Sequence, residues 1–491
     1  MSSLTPQAAA LPLEAAGTPA LEAIRKAPRS AWYALAVLVI ATVLGSVDKV
    51  ILTLLTEPMR IALTLSDTQL GLLQGAGLVL FTGIATLPLG WLSDRYDRRV
   101  VLAACVVLWS AATAMRGTAM DYGVLFIASI GLGVGEAGLT PITNSMIPDL
   151  FPRAQRVLAN AVFALSAIFG SALGALLGGT IVHLTDDLRH WLPASMQHLE
   201  AWRLTFFVMA SAGVPVALLV LSIRRTKRAG VQAGMQAGTR PMAASATAIV
   251  DAQDAQSPSG FALPDTLSGL PDTGSVVSFR NHLRTHWRTF TGLVVGLGLA
   301  SIGLSSIGTW LPIVAAREYG ATPAQMGQGM GLAFLCGTVV GGLLGVASMR
   351  FVQPRMGPAA ALRIIMLGNL TAALLSTLLL FTRSSTDAFM LLALLVVPLI
   401  SGAVLLPNVL QDAAPPHLRA RTIALLTMAS MPFGVLGPLV VGMLSDALKS
   451  VPNGLAVSIV ATTLVGGCLG ALVLRATEHA FVRLMRAAQA T

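Results

Sequence analysis

The chain has 491 residues, of which 55% are hydrophobic and 11% charged, with 47 glycines among them. A water-soluble protein of this length needs far more charge to cover its surface, so a soluble globular fold is excluded. The formal net charge of +10 could suggest nucleic acid. The arginines, however, lie between the apolar segments, where they serve as orientation signals, and a nucleic-acid partner is not expected.

Residues 1–30 mix Pro, Ala, Glu and Lys with no apolar core and no cleavage signal, which predicts a cytoplasmic tail and not a signal peptide. A spanning helix needs about 20 mostly apolar residues. That template predicts segments at 31–56, 68–92, 100–118, 122–147, 157–184 and 203–223. Together they make a first six-helix bundle over 31–223. Residues 224–286 open with Arg224-Arg225-Thr226-Lys227-Arg228 and continue as an Ala/Gly/Ser/Pro tract. Such a stretch buries too little apolar surface to fold, so a disordered cytoplasmic linker is expected. A second set follows at 288–316, 323–349, 358–381, 387–410, 421–445 and 453–475. It predicts a second bundle over 287–475 and a cytoplasmic tail over 476–491.

Basic residues set the sidedness. Arg95, Arg98 and Arg99 follow the second segment, Arg153 and Arg156 the fourth, Arg350 and Arg355 the eighth, and Arg419 and Arg421 flank the loop after the tenth. The alternate loops carry one basic residue apiece, as with Arg60 and Lys449. Both termini are therefore expected in the cytoplasm of a multi-pass protein of the cell inner membrane.

The halves repeat. Ser66-x-x-Gln69-x-Gly71-x-x-x-Gly75 opens the second segment, and Thr322-x-x-Gln325-x-Gly327-x-x-x-Gly331 opens the eighth. Asp149-x-x-Pro152-x-x-x-Arg156 follows the fourth, and Asp412-x-x-Pro415-x-x-x-Arg419 follows the tenth. The fold predicted is all-α: twelve membrane helices in two pseudo-symmetric bundles, with a small-solute site between them.

Charge at bilayer depth costs several kcal/mol unless paired or hydrated, so it marks a solute or proton path. Asp48 and Lys49 lie well inside the first segment, and Glu136 lies inside the fourth. Consecutive helical residues point about 100° apart, so Asp48 and Lys49 cannot both face one point. Asp48 and Glu136 are the candidates to bind protons or a cationic group, with Lys49 as counter-charge. The alternative is a static network that only holds the first and fourth segments together. Gln74, Asn144, Asn160, Asn369 and Asn408 either line the path or bond between helices. Gly170, Gly174 and Gly178 share one helix face, as do Gly434, Pro438 and Gly442, and both stripes predict packing surfaces. Cys105, Cys336 and Cys468 fall in apolar segments and read as buried free thiols. His183, Asp186, Asp187, His190, His198 and Glu200 sit in an outer loop at irregular spacing, so no metal site is expected.

An enzyme is not expected. None of the four lysines follows a glycine, which rules out a Walker A loop, and neither H-E-x-x-H nor G-x-S-x-G occurs. No cofactor is implied.

After the second segment the chain reads Gly90-Trp91-Leu92-Ser93-Asp94-Arg95-Tyr96-Asp97-Arg98-Arg99. This resembles the loop signature of the major facilitator superfamily at each constrained position. Gly90 allows close helix contact, Asp94 can face a helix N-terminus, and Arg95, Arg98 and Arg99 can pair with it while holding the loop inside. The resemblance implies that Asp94 and Arg98 belong to a cytoplasmic latch that breaks as the protein turns inward. Within the superfamily the first half is similar to the Spinster-like group of lysolipid and sphingolipid transporters. Asp48-Lys49, Glu57-Pro58, Leu65 to Gly71, Gly131-x-Gly133-x-Gly135-Glu136 and Asp149-Leu150-Phe151-Pro152 carry the likeness, with Gly437-Pro438-Leu439 and Gly442-Met443-Leu444-Ser445-Asp446 in the second half. The group usually has Arg where this chain has Lys49, and Arg where it has Ser129. Arg116 is the nearby candidate to replace the cation missing at Ser129, although its place near the outer end of the third segment predicts that it snorkels to the interface. The resemblance implies secondary active transport by alternating access, coupled to protons, of a lysolipid-like amphiphile, by a monomer. The alternatives are transport of a small organic or aromatic acid, and a transporter-like sensor without flux.

Overall fold

Inside a bilayer every backbone N–H and C=O must be satisfied within the protein, and a run of 20 or more apolar residues meets that demand as a helix. In the computed structural model, twelve helices among the described residues are long and apolar enough to cross a membrane. The described residues are 27–188, 199–224, 281–406, 409–410 and 419–489. The first half contains α1 (Arg29–Ala62), α2 (Asp67–Ser93), α3 (Arg98–Thr118), α4 (Tyr122–Leu150), α5 (Arg153–Leu188) and α6 (Ala201–Ser222). The second contains α7 (Trp287–Tyr319), α8 (Pro323–Met356), α9 (Ala360–Phe381), α10 (Ser385–Ala403), α11 (Arg419–Ala447) and α12 (Gly454–Gln489). The tail expected over 1–30 lies outside the described residues up to 26, with α1 beginning at Arg29, and the linker expected over 224–286 lies outside them but for residues 224 and 281–286.

The expected segment ends shift in one informative place. Residues 476–489 do not leave α12 as a tail but continue it to Gln489. At 1.5 Å per residue the 36 residues of α12 reach about 54 Å, well beyond a hydrocarbon core of about 30 Å.

Helix pairing repeats with an offset of six, which is the pseudo-symmetry expected from the paired motifs. The first half packs α1 on α5, α2 on α4 and α3 on α6; the second packs α7 on α11, α8 on α10 and α9 on α12. The two halves meet along two seams that exchange under the same offset, α2 with α11 and α5 with α8. The repeated S/T-x-x-Q motif has a local cause. Ser66 Oγ accepts from Gln69 N while Gln69 Oε1 accepts from Ser66 N, and Thr322 and Gln325 do the same. These are capping boxes that satisfy the free donors at the starts of α2 and α8.

Small residues let the seams close. A Cβ at Gly71 would stand 2.5 Å from Pro438 O, and one at Gly75 would stand 2.7 Å from Val435 O. A Cβ at Gly442 would strike Asp67 O, and one at Gly327 would strike Ala175 O. Gly170 and Gly174 press against Val43 and Val47 of α1 in the same manner, so that stripe is a packing surface as expected. The contacts at Gly71, Gly75, Gly327 and Gly442 lie toward the membrane face that carries the α1–α2, α7–α8 and α11–α12 turns. Near the opposite face, a Cβ at Gly90 would meet no described atom within 4 Å. Among the described residues the close helix contact expected of Gly90 is not made, and the glycine contacts between the halves named above lie at the far end of α2.

Candidate functional site

Three helices of the first half converge on the charges found at depth. Asp48 is 2% exposed, and its Oδ2 accepts a 2.9 Å bond from Thr113 Oγ1 on α3. Lys49, one residue on, turns the other way and places Nζ 2.6 Å from Glu136 Oε2 on α4. The angular argument from the sequence thus resolves into two different neighbours, α3 for Asp48 and α4 for Lys49. Glu136 is buried, whereas half of the Lys49 side chain is open. Gly45 of α1 lies beside the Glu136 carboxylate, where a Cβ would stand at an ordinary contact distance of 3.7 Å from Oε1.

Arg116 overturns one expectation. It does not snorkel to an interface: it is 0% exposed, and its Nη2 donates 3.1 Å to Ser129 Oγ. Ser129 passes its own hydroxyl hydrogen to Leu125 O at 2.9 Å, which leaves the oxygen free to accept from the guanidinium. Arg116 Nε and Nη1, and Asp48 Oδ1, have no hydrogen-bond partner among the described residues. The cation absent from α4 at position 129 therefore arrives from α3, beside the hydroxyl that stands there. The buried Phe206 ring of α6 faces the Arg116 guanidinium, its centroid 6.0 Å from the guanidinium carbon.

Beside this cluster lies a cavity of about 330 Å³ between the halves. Lys49, Thr53 and Ala175 line it from the first half, and Met330, Phe334 and Thr338 from the second. One wall is thus a cation and the others are largely apolar.

A second charged cluster spans the closed seam, and the sequence reading did not assemble it. Arg317 of α7 makes two 2.9 Å bonds to the Asp67 carboxylate and a 3.1 Å bond to Glu57 Oε2. Arg60 holds Glu57 at 2.6 Å, and Ser445 Oγ donates 2.6 Å to Asp67 Oδ2. Asp446 of α11 accepts from the backbone N–H of Asp67 at 3.1 Å and of Thr68 at 2.7 Å. An anion thus sits at the N-terminus of α2, where the helix dipole and free donors favour it. Glu57, Asp67 and Arg317 lie at helix ends, where charge is ordinary, so no single one stood out. The available signal was that Gly442-Met443-Leu444-Ser445-Asp446 repeats the G-x-L-S-D of Gly90 to Asp94.

In the signature loop, Arg98 pairs with Asp149 at 2.6 Å and donates to Ser145 O at 2.9 Å. Arg99 pairs with Asp97 at 2.9 Å and donates to Leu221 O and Ile223 O. Arg95 stacks on Trp91 with its guanidinium carbon 3.9 Å from the ring centroid. These bonds tie the loops of the first half to one another. The Asp94 side chain lies outside the described residues. Arg156 donates to Phe151 O and Pro148 O, both at 2.9 Å, and so closes the free carbonyls at the end of α4. Asp412 and the Arg419 side chain lie outside the described residues, as do Asn408 and most of the outer loop that holds His183 to His198. Of the three thiols, Cys105 is buried as expected, but Cys336 is exposed on the outward surface of α8 and Cys468 is half-buried.

The sequence model of the Major Facilitator Superfamily matches residues 34–438. An MFS-type efflux pump of Mycolicibacterium smegmatis is 28% identical over 429 residues, 86% of each chain. The sphingosine-1-phosphate transporter SPNS2 of Mus musculus is 31% identical over 158 residues, 32% of this chain and 28% of that one. A crystal structure of a bacterial homolog of the human lysosomal transporter Spinster, inward-facing and unoccupied, superposes with a TM-score of 0.72 at 22% identity. It covers 93% of this chain and 98% of that chain.

Proposed function

Because the chain belongs to the major facilitator superfamily, we propose that it is a proton-coupled secondary transporter of an anionic, lysolipid-like amphiphile. It works by alternating access in the cell inner membrane, with both ends in the cytoplasm. The observation that carries this reading is Lys49, paired with Glu136, at the wall of a largely apolar cavity between the halves. A cation on an apolar wall suits a solute with an anionic head and a hydrocarbon tail. The family resemblance and the name of the mouse relative point to the same class.

The pair also supplies a means of coupling. While Glu136 is ionised it occupies Lys49. A proton on Glu136 removes that attraction and frees Lys49 for the phosphate or carboxylate of the solute. Asp48 and Arg116 set the field around the pair: Arg116 compensates the buried carboxylates, and Thr113 fixes Asp48. Conformational exchange follows from the seams, which close one face while α2 stands apart at Gly90.

The test is flux of a lysophospholipid into or out of proteoliposomes under an imposed pH gradient. The wild-type protein should respond to the gradient, and Glu136→Gln should bind the solute yet lose that response. Unchanged proton dependence in the variant removes Glu136 from the coupling. Binding without flux in the wild type favours the sensor. A small organic or aromatic acid is the second reading, since Lys49 can pair with any carboxylate, and competition against the lysolipid separates the two.

A further inference from the structure

We infer that the inner end of α12 forms a binding site for the headgroup of an anionic phospholipid, separate from the cavity between the halves. The site is a recess of about 570 Å³ lined by Met356 at the end of α8, Arg363 on α9, and Glu478, His479, Arg483 and Arg486 on α12. Three of these six are arginines and one is acidic.

The acidic member is already taken. Glu478 is 4% exposed, and its Oε1 accepts from Arg363 Nε at 2.9 Å and Nη2 at 2.5 Å. Its Oε2 accepts from Arg475 Nη1 at 2.5 Å. One buried carboxylate therefore fixes two guanidinium groups, one on α9 and one on α12, and cancels one of their charges. Arg483 and Arg486 are exposed and neither is paired with an acidic side chain among the described residues. The net charge of the recess is positive, held on a preformed frame, and an anion is the ligand that complements it.

Depth selects the source of that anion. From Gly454 to Arg475 the helix rises about 32 Å, one hydrocarbon thickness. Arg475 thus stands where the apolar core ends, and Glu478 to Arg486 stand among headgroups. His479, Arg483 and Arg486 follow at i, i+4 and i+7, one face of α12 directed at the start of α9. A basic recess between helices at headgroup level fits a lipid phosphate with its chains running along the apolar surface below. The continuation of α12 to Gln489, which the sequence reading placed in a tail, is what carries these residues into register with Arg363.

Full-length protein in detergent is titrated with cardiolipin, with phosphatidylcholine and with inorganic phosphate, following the melting temperature and counting bound lipid by native mass spectrometry. Cardiolipin should raise the melting temperature saturably, and the other two should not. The double variant Arg483→Ala with Arg486→Ala changes only exposed side chains, and it should weaken cardiolipin binding by about 30-fold, about fivefold per arginine. Arg350→Ala removes an exposed charge outside the recess and should keep the full response. Equal losses in the two variants reduce the effect to general surface charge and overturn the site. A response to phosphate equal to that to cardiolipin, or none to cardiolipin, overturns the lipid assignment.

Discussion

Arg116 shows how a single side chain departs from its sequence position. Counted along α3 it stands two residues from the end of the span, where a long cation ordinarily reaches for the interface. Instead it points inward, because two buried carboxylates, Asp48 and Glu136, need more positive charge than the half-open Lys49 supplies. Removing it should therefore do more harm than losing one hydrogen bond. Arg116→Ala leaves buried acidic groups uncompensated, and a loss on the order of 3 kcal/mol is expected, against about 1 kcal/mol for Ser129→Ala. Thermal unfolding of the two purified variants checks the order, and equal effects would show that Arg116 contributes only its bond to Ser129. Sequence alone located Asp48, Lys49 and Glu136, since intramembrane charge is rare enough to be conspicuous. It could not say which neighbour each one meets. That depends on how α1 is rotated against α3 and α4, whose own close approach runs through Gly131 against Ala112 and Gly135 against Trp109 and Cys105.

At the scale of helices, the paired motifs were readable because each has a local job. The capping boxes at Ser66 and Thr322 start helices, and Arg156 ends one. The glycine stripes announced packing but not partners, because small residues say only that something comes close. The Gly170 to Gly178 stripe meets α1 of its own half, whereas Gly71, Gly75, Gly327 and Gly442 meet backbone atoms of the opposite half, which cannot yield as a side-chain tip can. Gly71→Leu should thus wedge α2 from Pro438 and open the seam. Gly90→Leu meets open space in this conformation and should leave it intact. Cysteine-accessibility labelling at the α1–α2 turn reads the difference: labelling should rise several-fold in the first variant and stay level in the second. A rise in both would mean that the seam is not what keeps this face closed.

For the whole molecule, the two G-x-L-S-D copies stand at opposite ends of the two helices that form one seam. The Asp446 copy, at the end of α11, accepts from the first N–H groups of α2 and is joined by Arg317 on Asp67 and Glu57. The Asp94 copy, at the end of α2, stands at the opposite end of that same seam, toward the start of α11. A rocking motion can satisfy one copy at a time, since closing one end of the seam opens the other. The charged cluster at Asp67 is therefore expected to set the balance between the two faces and not the stability of either half. Asp67 is nearly buried, but Arg317 keeps about a quarter of its side chain open, so solvent screening limits the bonds to about 1–2 kcal/mol. Arg317→Ala should shift the population toward the alternate face by about tenfold, and Asp446→Asn should act in the same direction. Asp94→Asn should act in the opposite direction. Spin-label distances across both ends of the α2–α11 seam measure the two populations together. Shifts of the same sign in Asp94→Asn and Asp446→Asn would rule out the reciprocal arrangement, because two latches on opposite faces must pull the equilibrium apart.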